Sequence, residues 1–343
     1  MPRSSRILAT LLLAGSAALA HAQSHGPRLE GFDYPYPVHT FAFDSQQQAL
    51  EMAYLDVPPA GSAFAGIVVL LHGKNFCAAT WEDSIQALAA AGYRVIAPDQ
   101  IGFCKSSKPA AYQYSFGQLA ANTEALLRHL GIDGGQVHVV GHSMGGMLAA
   151  RFALMYPQQV ASLSLVNPIG LEDWKALGVP WRSVDAWYAN ELKTGYDSIR
   201  NYQLEVYYDG QWKPEYERWA RMQAGMYAGP GRQAVAWSQA LTSDMVFNQP
   251  VVYELQELRV PTTLFIGQKD RTAIGRDLAP PALKATLGDY PRLGRAAAAA
   301  IPGARLVEFE QLGHSPQVQD PGRFNAALLE ALRTTGVPAR PDR

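Results

Sequence analysis

The sequence predicts an α/β protein with a mostly parallel sheet, doubly wound by helices on both faces and interrupted by one helical insertion. From residue 37 onward, short β-rich runs alternate with segments of helical length. This alternation is typical of parallel strands joined by crossover helices. The alternation stops between residues 168 and 256, where six of the seven tryptophans lie between Trp174 and Trp237. We interpret that segment as an inserted cap.

The predicted elements follow one another in β–α order. Strands are predicted at ALEMAYLDV, GIVVLLH, YRVIAP, VHVVG and VASLSLVN, with helices at TWEDSIQALAAAG, at GQLAANTEALLRHLG and after Ser143. After the insertion come the strand PTTLFIG, a helical stretch through RAAAAAIPG, the strand RLVEFE and a last helix from about Pro321 to Thr334. The sequence therefore predicts a core of residues 23–167 and 257–343, with a cap at 168–256.

Composition limits the classes of partner. The chain has 343 residues, 48% of them hydrophobic, with 29 Lys and Arg against 30 Asp and Glu and a formal net charge of −1. Such a balance, without a block of like charges, lacks the electrostatic pattern of nucleic-acid or anionic-membrane binding. We expect a small-molecule substrate, no nucleic-acid partner and no membrane span in the mature chain.

The N-terminus has the pattern of a secretory signal peptide. Arg3 and Arg6 precede the apolar stretch Ile7–Ala20, and Ala20-His21-Ala22 is a small-x-small cleavage pattern. The apolar stretch is shorter than the ~20 residues that a spanning helix needs. We therefore expect cleavage after Ala22 and an exported, periplasmic protein; a retained N-terminal anchor is the alternative.

A serine lies between glycines at a predicted strand-to-helix junction, in GHSMGG at residues 141–146. Helix capping explains a serine at a helix start, but it does not explain the flanking glycines. In the nucleophile elbow G-x-S-x-G, the serine adopts strained backbone angles, and side chains two residues away on either side would clash. Gly141 and Gly145 meet this requirement, and Gly146 lets the helix approach the neighbouring strand. Ser143 is the predicted nucleophile.

A serine nucleophile needs a base and an acid that orients the base, because its hydroxyl is unreactive at its own pKa. His314 in FEQLGHSPQVQDP follows the last predicted strand, and Asp270 in FIGQKDRTA follows the strand before it. Parallel strands end at one edge of a sheet, so Ser143, Asp270 and His314 can converge. Asp173, in NPIGLEDW after an earlier strand, is the alternative acid.

Acyl transfer also needs hydrogen-bond donors for the oxyanion that develops in the transition state. The loop LLHGKNF follows a predicted strand and offers the backbone N–H of Lys74. The N–H of Met144, at the start of the helix after Ser143, is the predicted second donor. Asn75 is a weaker candidate for a side-chain donor. We expect His72 to tie the loop together by hydrogen bonds, because His314 already supplies the base.

These residues resemble the α/β-hydrolase family, and within it the capped group of epoxide hydrolases, haloalkane dehalogenases and cofactor-free esterases. The resemblance covers nearly all of residues 37–335. It is carried by HGKNFCAATW with Trp81, PDQIGFCKSSKP, GHSMGG and GHSPQVQDPGRF. These segments are similar to the group's His-Gly loop, Asp-x-x-Gly-x-Gly-x-Ser loop, nucleophile elbow and histidine loop. The resemblance implies an α/β-hydrolase fold with a helical cap.

Departures from the group's pattern are informative. Epoxide hydrolases and haloalkane dehalogenases attack with an aspartate, whereas this chain has Ser143, which favours acyl chemistry over alkyl-enzyme chemistry. Asn75 replaces a proline that is common after the oxyanion residue, and Asp99 is interpreted as a loop-shaping residue. Cys104 stands where the family usually has glycine, and Cys77 lies in the oxyanion loop. Because these loops follow neighbouring strands in this fold, a disulfide is one hypothesis and two free thiols are the other.

The predicted activity is hydrolysis of a carboxylic ester, or a related acyl bond, through an acyl-enzyme on Ser143, with no metal or organic cofactor. The aromatic-rich cap indicates a small, apolar substrate, although aromatic residues in a cap more often form its core. The same residues serve carbon–carbon bond hydrolases, lactonases, small-peptide peptidases and perhydrolases. A non-catalytic ligand-binding member of the fold is the alternative outside enzymes.

Overall fold

A single eight-stranded sheet organises the chain. The computed structural model describes residues 23–132 and 134–334, and the predicted signal peptide, with its cleavage site after Ala22, lies outside the described residues. The strands are β1 (Val38–Ser45), β2 (Gln48–Val57), β3 (Gly66–Leu71), β4 (Tyr93–Pro98), β5 (Val137–His142), β6 (Val160–Val166), β7 (Thr262–Gly267) and β8 (Arg305–Phe309). Their order is β1-β2-β4-β3-β5-β6-β7-β8.

The sheet is parallel except at one end. β2 pairs antiparallel with both β1 and β4, and all other neighbours are parallel. This confirms the predicted mostly parallel, doubly wound architecture. The strand β1 is absent from the specific strand predictions, because most of its positions are exposed and the edge strand lacks a buried apolar run.

The helices cover both faces of the sheet and also form the insertion. They are α1 (Glu82–Ala90), α2 (Phe116–His129), α3 (Met144–Met155), α4 (Val184–Glu191), α5 (Tyr196–Tyr202), α6 (Glu217–Tyr227), α7 (Arg232–Asn248), α8 (Pro281–Lys284), α9 (Tyr290–Ala300), α10 (Pro316–Gln319) and α11 (Pro321–Thr334). The segment between β6 and β7 carries α4 to α7 and contributes no strand among the described residues. No helix in the described part of the chain combines the length and the apolar character of a membrane span.

Two hydrophobic clusters lie on opposite faces of the sheet, and the alternation of side chains along β3 shows how they form. Val69 and Leu71 belong to the cluster that includes residues of α2, α3 and α9. Val68 and Leu70 belong to the cluster with α1 and α11. Because successive strand residues point to opposite faces, a strand buried on both faces reads as the continuous apolar run seen in the sequence.

The segment before β1 connects the cap with the core. The N–H of His25 donates to the carbonyl oxygen of Gly225 in α6 over 2.9 Å. A β-carbon on Gly225 would lie 2.0 Å from the His25 ring, so only glycine allows this approach. Further along the segment, the ammonium group of Lys105 donates to the carbonyl oxygen of Leu29 over 2.6 Å. The N-terminal segment therefore spans both parts of the molecule.

His138 gives the fold a specific sensitivity to acid. This buried residue of β5 lies with Nδ1 2.7 Å from Oγ of Ser162, and burial lowers the pKa of His138 from 6.5 to about 4. The unfolded chain takes up this proton at higher pH than the folded chain. We therefore expect the free energy of unfolding to fall as the pH drops from 6.5 to 4, by up to ~3 kcal/mol.

Urea denaturation at a series of pH values measures this effect, and His138→Gln is the matched variant. The variant retains a polar side chain beside Ser162 but does not titrate. The dependence of the free energy of unfolding on pH between 4 and 6.5 should be shallower in the variant than in the wild type. Equal slopes for both proteins would contradict the assignment.

Candidate active site

Ser143 occupies a strained turn between β5 and α3. Its φ of 57° and ψ of −119° lie outside the regions that L-residues usually adopt. A β-carbon on Gly141 would lie 2.1 Å from the carbonyl oxygen of Gly145, and one on Gly145 would lie 2.2 Å from that of Leu71. Gly146 lies similarly close to the segment after β6. The glycines around the serine are therefore a steric requirement of this turn.

Asp270 and His314 form a buried pair at the ends of β7 and β8. Nδ1 of His314 lies 2.6 Å from Oδ2 of Asp270, and both side chains are fully buried. The same carboxylate oxygen accepts a 2.8 Å hydrogen bond from Nδ2 of Asn167, and Oδ1 accepts one of 2.8 Å from the N–H of Thr272. These donors fix the carboxylate, which in turn fixes the imidazole.

Asn167 is a site residue that the sequence analysis missed. It follows β6 with a φ of 38°, in the left-handed region that Asn tolerates better than most residues. In addition to its bond to Asp270, its Oδ1 accepts a 2.9 Å hydrogen bond from the N–H of Gly267. Asparagine before proline in LVNPIG marks a turn, but nothing local shows that its side chain reaches β7.

Asp173, the alternative acid, lies apart from the pair. Its Oδ1 accepts hydrogen bonds from the N–H groups of Lys175 and Ala176 within its own turn. Its Oδ2 accepts one from the hydroxyl of Tyr253, a residue that is 62% exposed. These contacts place Asp173 in a surface turn, and the structure favours Asp270 as the partner of the imidazole.

His142 links the elbow to the loop that carries His314. Its Nε2 donates to the carbonyl oxygen of His314 over 2.8 Å, and the two ring centroids are 4.9 Å apart. Burial, and then the neighbouring His314, lower the pKa of His142 well below its usual value. The ring of His142 therefore stays neutral, and its hydrogen bond connects the elbow to the loop of residue 314.

Nε2 of His314, the ring nitrogen that faces away from Asp270, has no hydrogen-bond partner among the described residues. The hydrogen bond between Ser143 and His314 is therefore not formed in this structure. Such bonds are often long or poorly aligned in ligand-free active sites and tighten when substrate binds. Ser143 is 4% exposed and His314 is fully buried, so both groups lie in a water-poor environment.

The loop after β3, which we call the oxyanion loop after its predicted role, lies against Ser143. A β-carbon on Gly73 would be 3.0 Å from Cβ of Ser143, so the N–H of Lys74 starts directly beside the elbow. The N–H groups of Lys74 and Met144 donate no hydrogen bond within the described part of the chain. His72 acts as expected within the loop, with Nδ1 donating to the carbonyl oxygen of Gly73 and Nε2 accepting from the N–H of Gln100.

A disulfide joins the oxyanion loop to the loop after β4. Cys77 and Cys104 are bonded, with Cα atoms 5.9 Å apart. Cys104 has a φ of 43°, in the region that favours glycine, which agrees with the glycine expected there. Asp99 shapes the same loop, since Oδ1 accepts from the N–H of Ala78 and Oδ2 from the N–H of Lys105.

Reduction of this disulfide is expected to lower the free energy of unfolding by about 3 to 4 kcal/mol, because the bond closes a loop with a sequence separation of 27 residues. Urea denaturation with and without reductant measures the difference. The double variant Cys77→Ala/Cys104→Ala, which has no sulfur to bridge, should show no effect of reductant. Titration of two free thiols in the denatured, unreduced protein would contradict the pairing.

The cap closes over the histidine through a π-helical turn, Gln203–Tyr207. The N–H of His314 donates to the carbonyl oxygen of Tyr207 over 3.0 Å, and the two ring centroids are 4.4 Å apart. The hydroxyl of Tyr207 accepts a 2.8 Å hydrogen bond from Nδ2 of Asn75. Burial raises the pKa of Tyr207 well above its usual value, so the hydroxyl stays neutral. The sequence predicts a cap but not this contact.

A cavity of about 10 Å³ remains between the oxyanion loop and the cap, room for about one water molecule. Four amide or ammonium side chains line it, Lys74, Asn75, Gln223 and Gln239, together with the apolar Phe76, Phe103 and Met226. None of the six cap tryptophans belongs to the described residues that line it. Tyr227 is an aromatic residue of the insertion that does line it, and the cavity wall is part polar and part apolar.

The chain also matches a known protein family over most of its length. The profile of the family described as alpha/beta hydrolase fold matches residues 66–321. The chain belongs to the alpha/beta hydrolase family. This confirms the predicted resemblance, and the chain is a hydrolase of that fold.

Several relatives of this alpha/beta hydrolase are known. A solved structure of a probable hydrolytic enzyme from Pseudomonas aeruginosa PAO1 is 64% identical, with a TM-score of 0.89, and the match covers 91% of this chain and 99% of that one. A 2-hydroxy-6-oxo-6-phenylhexa-2,4-dienoate hydrolase from Comamonas testosteroni is 25% identical, over 78% of this chain and 87% of that protein. Epoxide hydrolase A from Mycobacterium tuberculosis is 27% identical, over 83% and 95%.

Proposed function

We propose that this protein is an exported serine hydrolase that cleaves a carboxylic ester, or a related acyl bond, of a small substrate. The observation that carries the proposal is the buried pair of His314 and Asp270, whose loop is hydrogen-bonded to the elbow through His142. An imidazole held by a carboxylate at one nitrogen and unpaired at the other is the arrangement that a general base needs.

In the proposed reaction, Oγ of Ser143 attacks the substrate carbonyl carbon while its proton moves to Nε2 of His314. The carbonyl oxygen becomes an oxyanion, which the N–H groups of Lys74 and Met144 stabilise. The intermediate collapses, the bond to the leaving group breaks, and His314 returns the proton to that group. Water, deprotonated by the same imidazole, then attacks the acyl-enzyme and releases the acid and Ser143.

Asp270 supports both proton transfers by holding Nδ1–H and stabilising the imidazolium. A serine at position 143 supports acyl chemistry over the aspartate-based alkyl-enzyme route of the epoxide-hydrolase group. Carbon–carbon bond hydrolysis is the second candidate, because a curated relative is named as a dienoate hydrolase. An ester and a carbon–carbon substrate differ in the leaving group, oxygen in one and carbon in the other.

Two observations support export. The N-terminal sequence has the charge, apolar stretch and cleavage pattern of a signal peptide. The bonded pair Cys77–Cys104 is the state that cysteines adopt in oxidising compartments such as the periplasm. N-terminal sequencing of the protein recovered from a periplasmic extract tests the proposal. A first residue of Gln23 is expected, and recovery of the chain beginning at Met1 would contradict cleavage.

Replacement of Asn167 by alanine is expected to lower kcat by about 10- to 100-fold, because the carboxylate of Asp270 loses the hydrogen bond that it accepts from Asn167. The KM value should change less, since Asn167 does not line the cavity. Steady-state kinetics on a reactive ester measures both constants. Asn248→Ala, which removes an amide that bonds only within α7, is the matched control and should keep wild-type kinetics.

A hydrolysis screen of the purified mature protein tests the proposed function. The screen compares 4-nitrophenyl esters of increasing acyl length, lactones, aminoacyl amides and 2-hydroxy-6-oxo-6-phenylhexa-2,4-dienoate. A fluorophosphonate probe tests in parallel whether Ser143 is reactive. We expect esters to be hydrolysed fastest and the probe to label Ser143. Faster cleavage of the dienoate than of any ester would favour carbon–carbon bond hydrolysis as the activity. Absence of both labelling and turnover would favour a ligand-binding protein.

A further inference from the structure

The side chain of Lys74 extends from the oxyanion loop into the cap. Its Nζ lies 3.2 Å from Oε1 of Glu191 in α4 and 2.9 Å from Oε1 of Gln239 in α7. The side chains of Lys74 and Glu191 are only 12% and 14% exposed. The backbone of Lys74 thus serves the proposed oxyanion hole, while its ammonium group lies in the wall of the adjacent cavity.

Some N–H donors at the cavity wall have no acceptor within the described part of the protein. An ammonium group has three N–H donors, and the contacts of Lys74 account for two of them. Gln239 accepts from Lys74 through Oε1, and its NH2 group donates to no described residue. Glu191, the nearby anion, is already engaged at both oxygens, since Oε2 accepts a 2.7 Å hydrogen bond from the hydroxyl of Tyr227. One N–H of Lys74 and both N–H groups of Gln239 therefore have no acceptor among the described residues.

Asn75 and Gln223 extend the same donor surface. Nδ2 of Asn75 donates to Tyr207, and Nε2 of Gln223 donates to Oδ1 of Asn75. Each of these amide nitrogens has a second N–H, and each of the two oxygens already accepts one hydrogen bond, that of Gln223 from Gln203. A ligand that brings anionic oxygens meets this surface better than one that brings further N–H or O–H donors.

We propose that Lys74 and Gln239 bind a carboxylate that the substrate carries in addition to the bond that is cleaved. This inference rests on the proposed function and specifies its substrate class. Glu191 neutralises Lys74 while the site is empty, because an unpaired buried ammonium group is costly. When substrate enters, its carboxylate accepts hydrogen bonds from the third N–H of Lys74 and from the NH2 group of Gln239, and Glu191 keeps its contacts with Lys74 and Tyr227. The apolar side chains of Phe76, Phe103 and Met226 line the same cavity.

Pairs of esters that differ only in charge test this inference. The first pair is 4-nitrophenyl hydrogen adipate and 4-nitrophenyl methyl adipate, which place the charge on the acyl side. The second pair is 4-acetoxybenzoate and methyl 4-acetoxybenzoate, which place it on the alcohol side. The quantity measured is the ratio of kcat/KM for the anionic ester to kcat/KM for its neutral partner. We expect a wild-type ratio of at least about 10 in one of the pairs.

Substitutions then test whether these residues cause the preference for the anionic ester. Lys74→Met is expected to lower it at least tenfold, Lys74→Arg to retain most of it, and Glu191→Gln to raise it, because the competing carboxylate is gone. Gln239→Leu should lower it without a charge change. Arg218→Met is the matched control, because it removes a cap-to-core ion pair with Glu82 on the surface, and it should leave the ratio unchanged.

The outcomes separate this inference from the proposed function. If Lys74 and Glu191 only hold the cap closed, their substitution changes both members of a pair equally and the ratio stays constant, which overturns the inference. Wild-type ratios near 1 in both pairs, with esters still hydrolysed, also overturn it and leave the serine hydrolase intact. If no ester is hydrolysed and the fluorophosphonate probe does not label Ser143, the proposed function itself fails. Thermal unfolding of each variant shows that the protein compared is folded.

Discussion

Ser143→Ala is expected to lower kcat/KM for ester hydrolysis by about 10⁴-fold or more, because the reaction loses the atom that forms the acyl-enzyme. Labelling by a fluorophosphonate should disappear in the same variant. Alanine removes only the hydroxyl group and keeps the β-carbon that packs in the elbow. The thermal unfolding temperature should therefore stay close to that of the wild type.

Ser162→Ala is the matched control for this experiment. Ser162 is a buried serine on the neighbouring strand β6, and its hydroxyl bonds His138 on the same sheet. Its loss is expected to reduce stability by about 1 kcal/mol and to leave labelling of Ser143 intact. If Ser143→Ala kept labelling and turnover, another nucleophile would have to carry the reaction.

Asp270→Asn is expected to lower kcat by about 10³- to 10⁴-fold. An amide has nearly the shape of the carboxylate, but its NH2 group donates to Nδ1 and favours the wrong tautomer of His314. The imidazolium that forms during the reaction also loses its counter-charge. Both oxygens of the buried carboxylate accept from N–H groups, of Asn167 and Thr272, so the NH2 group of the variant also faces one of these donors, and thermal unfolding must show that the variant is folded.

Asp173→Asn discriminates between the two candidate acids. Asp173 is the acid that the sequence left as an alternative, and it lies in a surface turn. Its substitution should change kcat less than threefold, the size of effect typical of surface positions. Steady-state kinetics of both variants on one ester decides the matter. A large loss in Asp173→Asn with a small loss in Asp270→Asn would reverse the assignment of the acid.

The fold was predictable because its strands are buried on both faces. A continuous apolar run such as GIVVLL predicts a buried strand from the local sequence alone. The alternation of such runs with helical segments along the chain indicates parallel strands joined by crossover helices. The edge strand β1 lacked this signal, since five of its eight residues are exposed. The elbow was equally predictable, because a side chain at Gly141 or Gly145 would collide with the backbone of the turn that holds Ser143.

The remainder of the site depends on contacts between distant parts of the chain. Asn167 bonds a carboxylate 103 residues away, and Lys74 meets Gln239 over a separation of 165 residues. Tyr207 covers His314 through a π-helical turn within the cap. No periodicity or spacing encodes such pairs, because the sequence shows which side chains are polar but not which loops meet them. The aromatic cap likewise indicated an apolar substrate, whereas the cavity wall is partly polar.

The most direct test of the proposed chemistry is to identify the residue that becomes acylated. The mature protein is mixed with a 4-nitrophenyl ester, quenched with acid within milliseconds, digested and analysed by peptide mass spectrometry. The proposed mechanism predicts the acyl mass on Ser143 in the peptide containing GHSMGG, with less of it formed in Asp270→Asn. Turnover of the ester with the acyl mass on any other residue would contradict the mechanism.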